Sequence, residues 1–148
     1  MPAPDSTPSA PALSSPPFSA PPTTIHGTRV VAPAATLDAV VWPSSATVLR
    51  FAPDDAFVIG GDSVSISGEH AIVAAESGFV GCWLSAEELA RVVGHIEWSL
   101  PTERPALAQG LIASVPAKLY LTGNAGADQQ ALLLTNAPYS GDLWERLS

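Results

Sequence analysis

The placement of proline constrains this chain more than any other feature. Eight of its fifteen prolines fall within the first 24 residues, MPAPDSTPSAPALSSPPFSAPPTT. Each proline locks φ and removes a backbone donor, so neither helix nor sheet propagates through such a stretch. Leu13 and Phe18 alone cannot offset the entropy of ordering it. Residues 1–24 are therefore expected to form a disordered Pro/Ala/Ser-rich arm, either a solubilising tail or a docking peptide for a partner. Folding is left to residues 25–148, enough for one domain with a modest core.

Charge narrows what that domain can bind. The formal net charge is −8, and the six basic residues are scattered from Arg29 to Arg146. Phosphate backbones need clustered Lys and Arg, so nucleic acid is not an expected partner. The chain is 47% hydrophobic and only 14% charged. That balance fits either a tight core with an ordinary surface or a subunit that buries much of its surface in an assembly. Cys82 is the sole cysteine, which excludes an intrachain disulfide and a cysteine-based metal site. No basic n-region precedes an apolar run, and no segment approaches the ~20 apolar residues of a membrane span. A cytoplasmic location away from membranes is the expectation.

Periodicity and turn chemistry predict the elements. IHGTRVVAP reads as a short strand ended by Pro33, and residues 35–41 fit a helical turn or a strand equally well. In TVLRFAPDDAFVIGG, Val48 and Arg50 alternate with Leu49 and Phe51, the period of a strand. Pro53, Asp54 and Asp55 then supply a turn, and AFVIGG returns as the second arm of a hairpin. SVSIS alternates and is read as a candidate small strand. HAIVAAES reads as one buried strand and GFVGCWLS as another, with Phe79, Gly81 and Trp83 on the face opposite Val80, Cys82 and Leu84. Ser85 and Glu88 then form a capping box. Leu89, Val92, Val93 and Ile96 mark the core face of a helix over residues 86–96. SLPTERPALAQG is expected to be loop, with a strand at KLYLTG, a turn at GNAGAD and a returning strand at QQALLLTN. A short helix capped by Asn136 or Ser140 closes the chain, with Leu143, Trp144 and Leu147 on one face. The sum is an α+β fold, a mainly antiparallel sheet with two helices.

Chemistry is sparse in the sequence. There is no GxGxxG, GxxxxGK[ST] or GxSxG motif, and Gly60 and Gly61 suit a hairpin end better than a phosphate cradle. His26, His70 and His95 lack metal-ligand spacing, and His70 and Cys82 would have to meet across a hairpin to act as a nucleophile pair. Asp54 and Asp55 point to opposite sides if extended and suit a turn instead. No catalytic, cofactor-binding or metal-binding residue is assigned on these grounds. Four tryptophans in so short a domain serve either as core or as interface anchors. The candidate interface residues are Trp42, Trp83, Trp98, Tyr139 and Trp144.

Three stretches taken in order resemble the gamma subunit of heterotetrameric sarcosine oxidase, within the folate-binding aminomethyltransferase-like superfamily. VLRFAPDDAFVIG resembles its first hairpin. IVAAESGFVGCWLSAEELARVV resembles its strand, break, strand and helix. ALAQGLIASVPAKLYLTG followed by QQALLLTNAPYSGDLWERL resembles its closing hairpin and aromatic-small-x-x-Leu-Trp-x-x-Leu helix. Ala52 and Ala56 stand where that family usually has Gly and Trp. The resemblance implies a compact relative of the aminomethyltransferase folate-binding domain. It implies a non-catalytic small subunit of a flavin-dependent oxidase or dehydrogenase that demethylates sarcosine or a related N-methyl or secondary amine. Partners would be larger alpha and beta subunits that carry FAD, FMN, NAD and tetrahydrofolate, with no cofactor bound by this chain. The alternatives are a free-standing folate-binding aminomethyltransferase-like protein, or a scaffold domain working through its proline-rich arm.

Overall fold

The structure, a computed structural model, describes residues 18–61, 64–68, 70–123 and 129–148. Chain order begins with β1 (Thr23–Val31), α1 (Ala34–Asp38), β2 (Thr47–Ala52) and β3 (Asp55–Ile59). The long β4 (Ile72–Leu84) leads into α2 (Ala86–Val93). Strands β5 (Ala106–Ile112), β6 (Val115–Leu121) and β7 (Ala131–Asn136) follow, then a 3-10 turn (Ala137–Tyr139) and α3 (Ser140–Leu147). The strands make one seven-stranded sheet in the order β2-β3-β1-β4-β7-β6-β5. Every neighbouring pair is antiparallel. The fold is thus α+β with an antiparallel sheet, as the sequence predicts, though with three short helices rather than two.

The sheet curls until its two ends meet. Strands β2 and β5 are its edges, yet the Gln109 amide on β5 donates to the Phe51 carbonyl on β2 at 2.9 Å. Alternation along the strands then sorts side chains into an inner and an outer face. The inner face holds Leu49, Phe57, Phe79, Leu132 and Leu134, with Phe51, Trp83 and Tyr120 packed against them. The outer face carries two further clusters. One joins Leu84, Leu119, Leu121 and Leu133 to Val92 of α2 and to Leu143 and Leu147 of α3. The other, smaller, joins Val30 and Val58 to Leu37 of α1.

Local chemistry explains the elements that the sequence identifies correctly. The Ser85 hydroxyl accepts from the Glu88 N–H at 3.2 Å and the Glu88 carboxylate accepts from the Ser85 N–H at 3.0 Å, completing the capping box. Pro53 and Asp54 turn the β2–β3 hairpin, and Gly60 and Gly61 leave β3 with φ of 76° and 85°. Phe79 and Trp83 face inward while Cys82 and Leu84 face outward.

Other expectations change. The folded part begins before residue 25: β1 starts at Thr23, and Phe18 is buried in the outer cluster with α2 and α3. Residues 1–17 of the expected arm lie outside the described residues. The two strands expected over residues 70–85 are one. A register shift between Ile25 and Gly27 lets β1 cross the Ser77–Gly78 break as a bulge, so pairing continues. Helix α2 stops at Val93 because Gly94 caps it, leaving Ile96 in a turn. Residues 106–110, read as loop, are the first part of β5. The β5–β6 turn is Ala113 and Ser114, with φ of 49° and 65°. Two left-handed residues make the tight hairpin turn that Asn-Gly usually supplies, and an Ala-Ser pair gives no such signal. The His95 carbonyl accepts from the Ala113 N–H, and Arg146 donates to the Ala113 carbonyl, so tertiary contacts hold the turn. Residues 64–68 form no strand, and the GNAGAD turn lies mostly outside the described residues. Asn136 occupies the cap position of the 3-10 turn without a side-chain bond, while the Ser140 hydroxyl donates to Ala137.

Candidate functional site

The inner face carries the main concentration of charge. Arg29 lies on β1 opposite Phe57, and Asp55 opens β3 opposite Val31. The guanidinium grips Asp55 through two parallel bonds, Nε to Oδ1 at 2.5 Å and Nη2 to Oδ2 at 2.6 Å. Its third nitrogen reaches Glu76 Oε1 at 3.1 Å. The plane sits 4.9 Å from the Phe51 ring centre and 5.8 Å from that of Phe79. Those rings and Phe57 pack with centres 5.0–6.0 Å apart. The Arg29 bond holds the Asp55 carboxyl below the usual range, outweighing desolvation.

Lys118 on β6 extends this cluster across the seam. Its ammonium donates to Gln109 Oε1 at 2.7 Å and lies 4.5 Å from the Phe51 ring centre. Burial, then the nearby Arg29 charge, pulls its pKa below the ordinary lysine value. Gln109 therefore links both edges, receiving from Lys118 and donating to Phe51. Beside Lys118 opens a cavity of about 420 Å³ lined by Gln109, Leu111, Pro116, Asn136 and Tyr139 among others. Thr135, also in its wall, donates to the Pro116 carbonyl at 2.7 Å.

The contacts of Gln109 and Lys118 with Phe51 bridge the seam, while the Arg29 ion pairs tie β1, β3 and β4 together. Asp55 and Glu76 are both committed to Arg29, so neither is poised as a general base. The sequence hides this cluster because its members are dispersed. Asp55 sits in a turn signal, and Glu76 sits beside a bulge. The available clue is a single basic residue in an otherwise apolar strand, as in TRVV and AKLYL, at the parity of the inward positions.

The five aromatic candidates do not converge. Trp42 packs on the small outer cluster, Trp83 on the inner core and Trp144 on the large outer cluster. Trp98 lies over Gly110, where a Cβ would come within 2.7 Å of the indole, and donates to the Leu111 carbonyl at 3.0 Å. Tyr139 alone is clearly exposed, at 43%, on the rim of the cavity. The buried Trp144 indole N–H makes no hydrogen bond of ordinary geometry among the described residues, though it lies against the Cys82 sulfur, a weak acceptor. Burial pushes the neighbouring Cys82 thiol up to about 12, leaving it un-ionised at neutral pH. His70 precedes β4 and Cys82 lies near its far end, on the order of 30 Å along one strand, so they cannot form a nucleophile pair. Among the described residues no group of His, Cys, Asp or Glu is placed to hold a metal ion. No helix among them is long and apolar enough to cross a membrane.

No protein-family model, no curated protein and no solved structure matches this chain.

Proposed function

We propose that the chain is a non-catalytic small subunit of a multi-subunit flavin-dependent oxidase or dehydrogenase that demethylates sarcosine or a related N-methyl or secondary amine. Its partners are larger alpha and beta subunits that carry FAD, FMN, NAD and tetrahydrofolate. The ordered resemblance of three stretches suggests the family. The observation that carries a subunit role is an apolar patch where β1 and β4 pair. Val31 is 36% exposed, Ile72 64% and Val73 42%. Val31 lies opposite Ile72, so these two side chains are neighbours on one face, while Val73 is exposed on the other face of the same ribbon. An acidic, charge-poor chain that leaves such a patch open gains by covering it in an assembly.

A free-standing folate-binding enzyme is less well supported. It needs a carboxylate held in a cavity to meet a pterin or an amine; the cavity beside Lys118 has none in its wall, and the one of about 350 Å³ at residues 94–98 offers only the exposed Glu97. The test is to purify the tagged full chain from its own cells. A complex with flavin absorbance and sarcosine-dependent turnover is expected. Purification alone with tight tetrahydrofolate binding would replace this reading with the enzyme alternative.

A further inference from the structure

Strand β4 is longer than its partner on one side. It pairs with β7 only from Phe79 to Leu84, because β7 ends at Asn136 and the chain turns away. On the other side β1 pairs as far as Ile72. Among the described residues, 72–78 therefore have a strand on one flank only. Alternate N–H and C=O groups there point outward with no ladder to receive them. Residues 72–75, IVAA, are exposed on both faces of this ribbon. Edge strands usually carry a lysine, a proline or an inward charge to prevent pairing. Residues 72–77 have neither lysine nor proline, and their one charge, Glu76, is tied to Arg29.

We propose that the free edge of β4 at residues 72–77 receives an extended, apolar strand from another protein, which continues the sheet beside β4. The chemistry selects a strand. Outward backbone groups need hydrogen-bond partners, while Ile72 and Val73 on opposite faces need apolar cover. A helix or a lipid surface supplies the second and not the first. The chain's own N-terminal segment is unsuited, because residues 1–17 contain six prolines and no proline-free run longer than four residues. A second copy is disfavoured, because it would bring two chains of net charge −8 together. The proposal rests on the reading of the chain as a subunit and places one docking contact.

The experiment uses the tagged full chain with the proteins it retains from its own cells. Hydrogen exchange is followed at residues 72–77 in the complex and in the chain alone. Alternate amides there should slow about a hundredfold on assembly. The double variant Val73→Lys, Ala75→Lys should keep the free chain's melting temperature and weaken partner binding by at least about tenfold. A flavin-containing partner retained with unslowed amides and by the double variant would overturn the docking edge and leave the subunit reading standing. Slowed amides in a complex without flavin would do the reverse. A chain that purifies alone, or slowed amides in a dimer of this chain, would overturn the proposal.

Discussion

The two halves of β4 are equally apolar in sequence and opposite in fate. Residues 79–84, FVGCWL, have β1 or β7 alongside, the inner aromatic core on one face, and α2 and α3 on the other. Among the described residues, 72–75, IVAA, have one neighbouring strand and no layer over either face. Burial in a sheet is therefore set by how many strands and layers surround a residue, and hydrophobicity only makes such burial favourable.

The largest effect should come from the surrounded half. Leu84→Ala removes a fully buried side chain beneath α2 and should cost about 3 kcal/mol, read from the urea midpoint. Phe18→Ala should cost slightly less, about 2–3 kcal/mol, because it empties a buried site at the start of the described chain. Removing residues 1–22 should then lower the melting temperature more than removing residues 1–17. Equal melting temperatures would show that Phe18 is not an anchor.

Trp144→Ala should cost about 2 kcal/mol, less than a fully buried tryptophan, since the ring is only half-buried against the outer cluster. Trp144→Phe should cost clearly less than Trp144→Ala, because it keeps a ring and removes a buried donor whose neighbour, the Cys82 sulfur, is only a weak acceptor. An unchanged midpoint for Trp144→Ala, with lost partner affinity, would make α3 a docking element instead of a core plug.

Ser85→Ala should cost about 1 kcal/mol by removing the α2 cap. The same cap predicts acid sensitivity. Burial alone would raise the Glu88 carboxyl, but bonds from the Ser85 and Ser19 N–H groups and hydroxyls outweigh it and hold the pKa below the ordinary value. Asp55 is also held low, by Arg29. A depressed folded pKa means that the unfolded chain binds more protons below roughly pH 4–5. The stabilisation from both groups is complete above that range and is lost as pH falls through the folded values. Melting temperature should drop on acidification, and Glu88→Gln should make that drop shallower.

The smallest effect belongs to the open half. Val73→Ala should change the free chain's stability by no more than about 0.5 kcal/mol. A loss comparable to that of Leu84→Ala would mean that something already covers this edge, and the contrast within β4 would fail.

The elements that read clearly in the sequence are those whose signals are local. Ser85 and Glu88 bond to backbone within one turn, and Leu49 and Phe51 alternate with Val48 and Arg50 under strand geometry alone. The Pro53 turn needs no distant contact. The elements that misread depend on distant partners. Strand β5 looks like loop because two prolines precede it and its turn, Ala113 and Ser114, carries left-handed backbone held by His95 and Arg146. The bulge at Ser77 and Gly78 looks like a break because only the register against β1 shows pairing on both sides of it.

The candidate site follows the same division. An acidic, single-cysteine chain with a proline-dominated start, a capped helix and period-two strands is legible before folding, because those properties depend on composition or on residues a few positions apart. Alternation also sets the faces of Phe79 to Leu84, but the bulge at Ser77 and Gly78 resets it for the residues before. Three features came from the folded arrangement alone: Arg29 pairs with Asp55 and Glu76 and shares the Phe51 ring with Lys118, Phe18 is core, and residues 72–77 keep a free edge among the described residues. Each depends on contacts between distant parts of the chain, such as Arg29 and Lys118, 89 positions apart, or Phe18 and Leu147, 129 apart. No local propensity encodes that separation. It emerges when burial of the inner aromatic layer outweighs the entropy of closing such long loops.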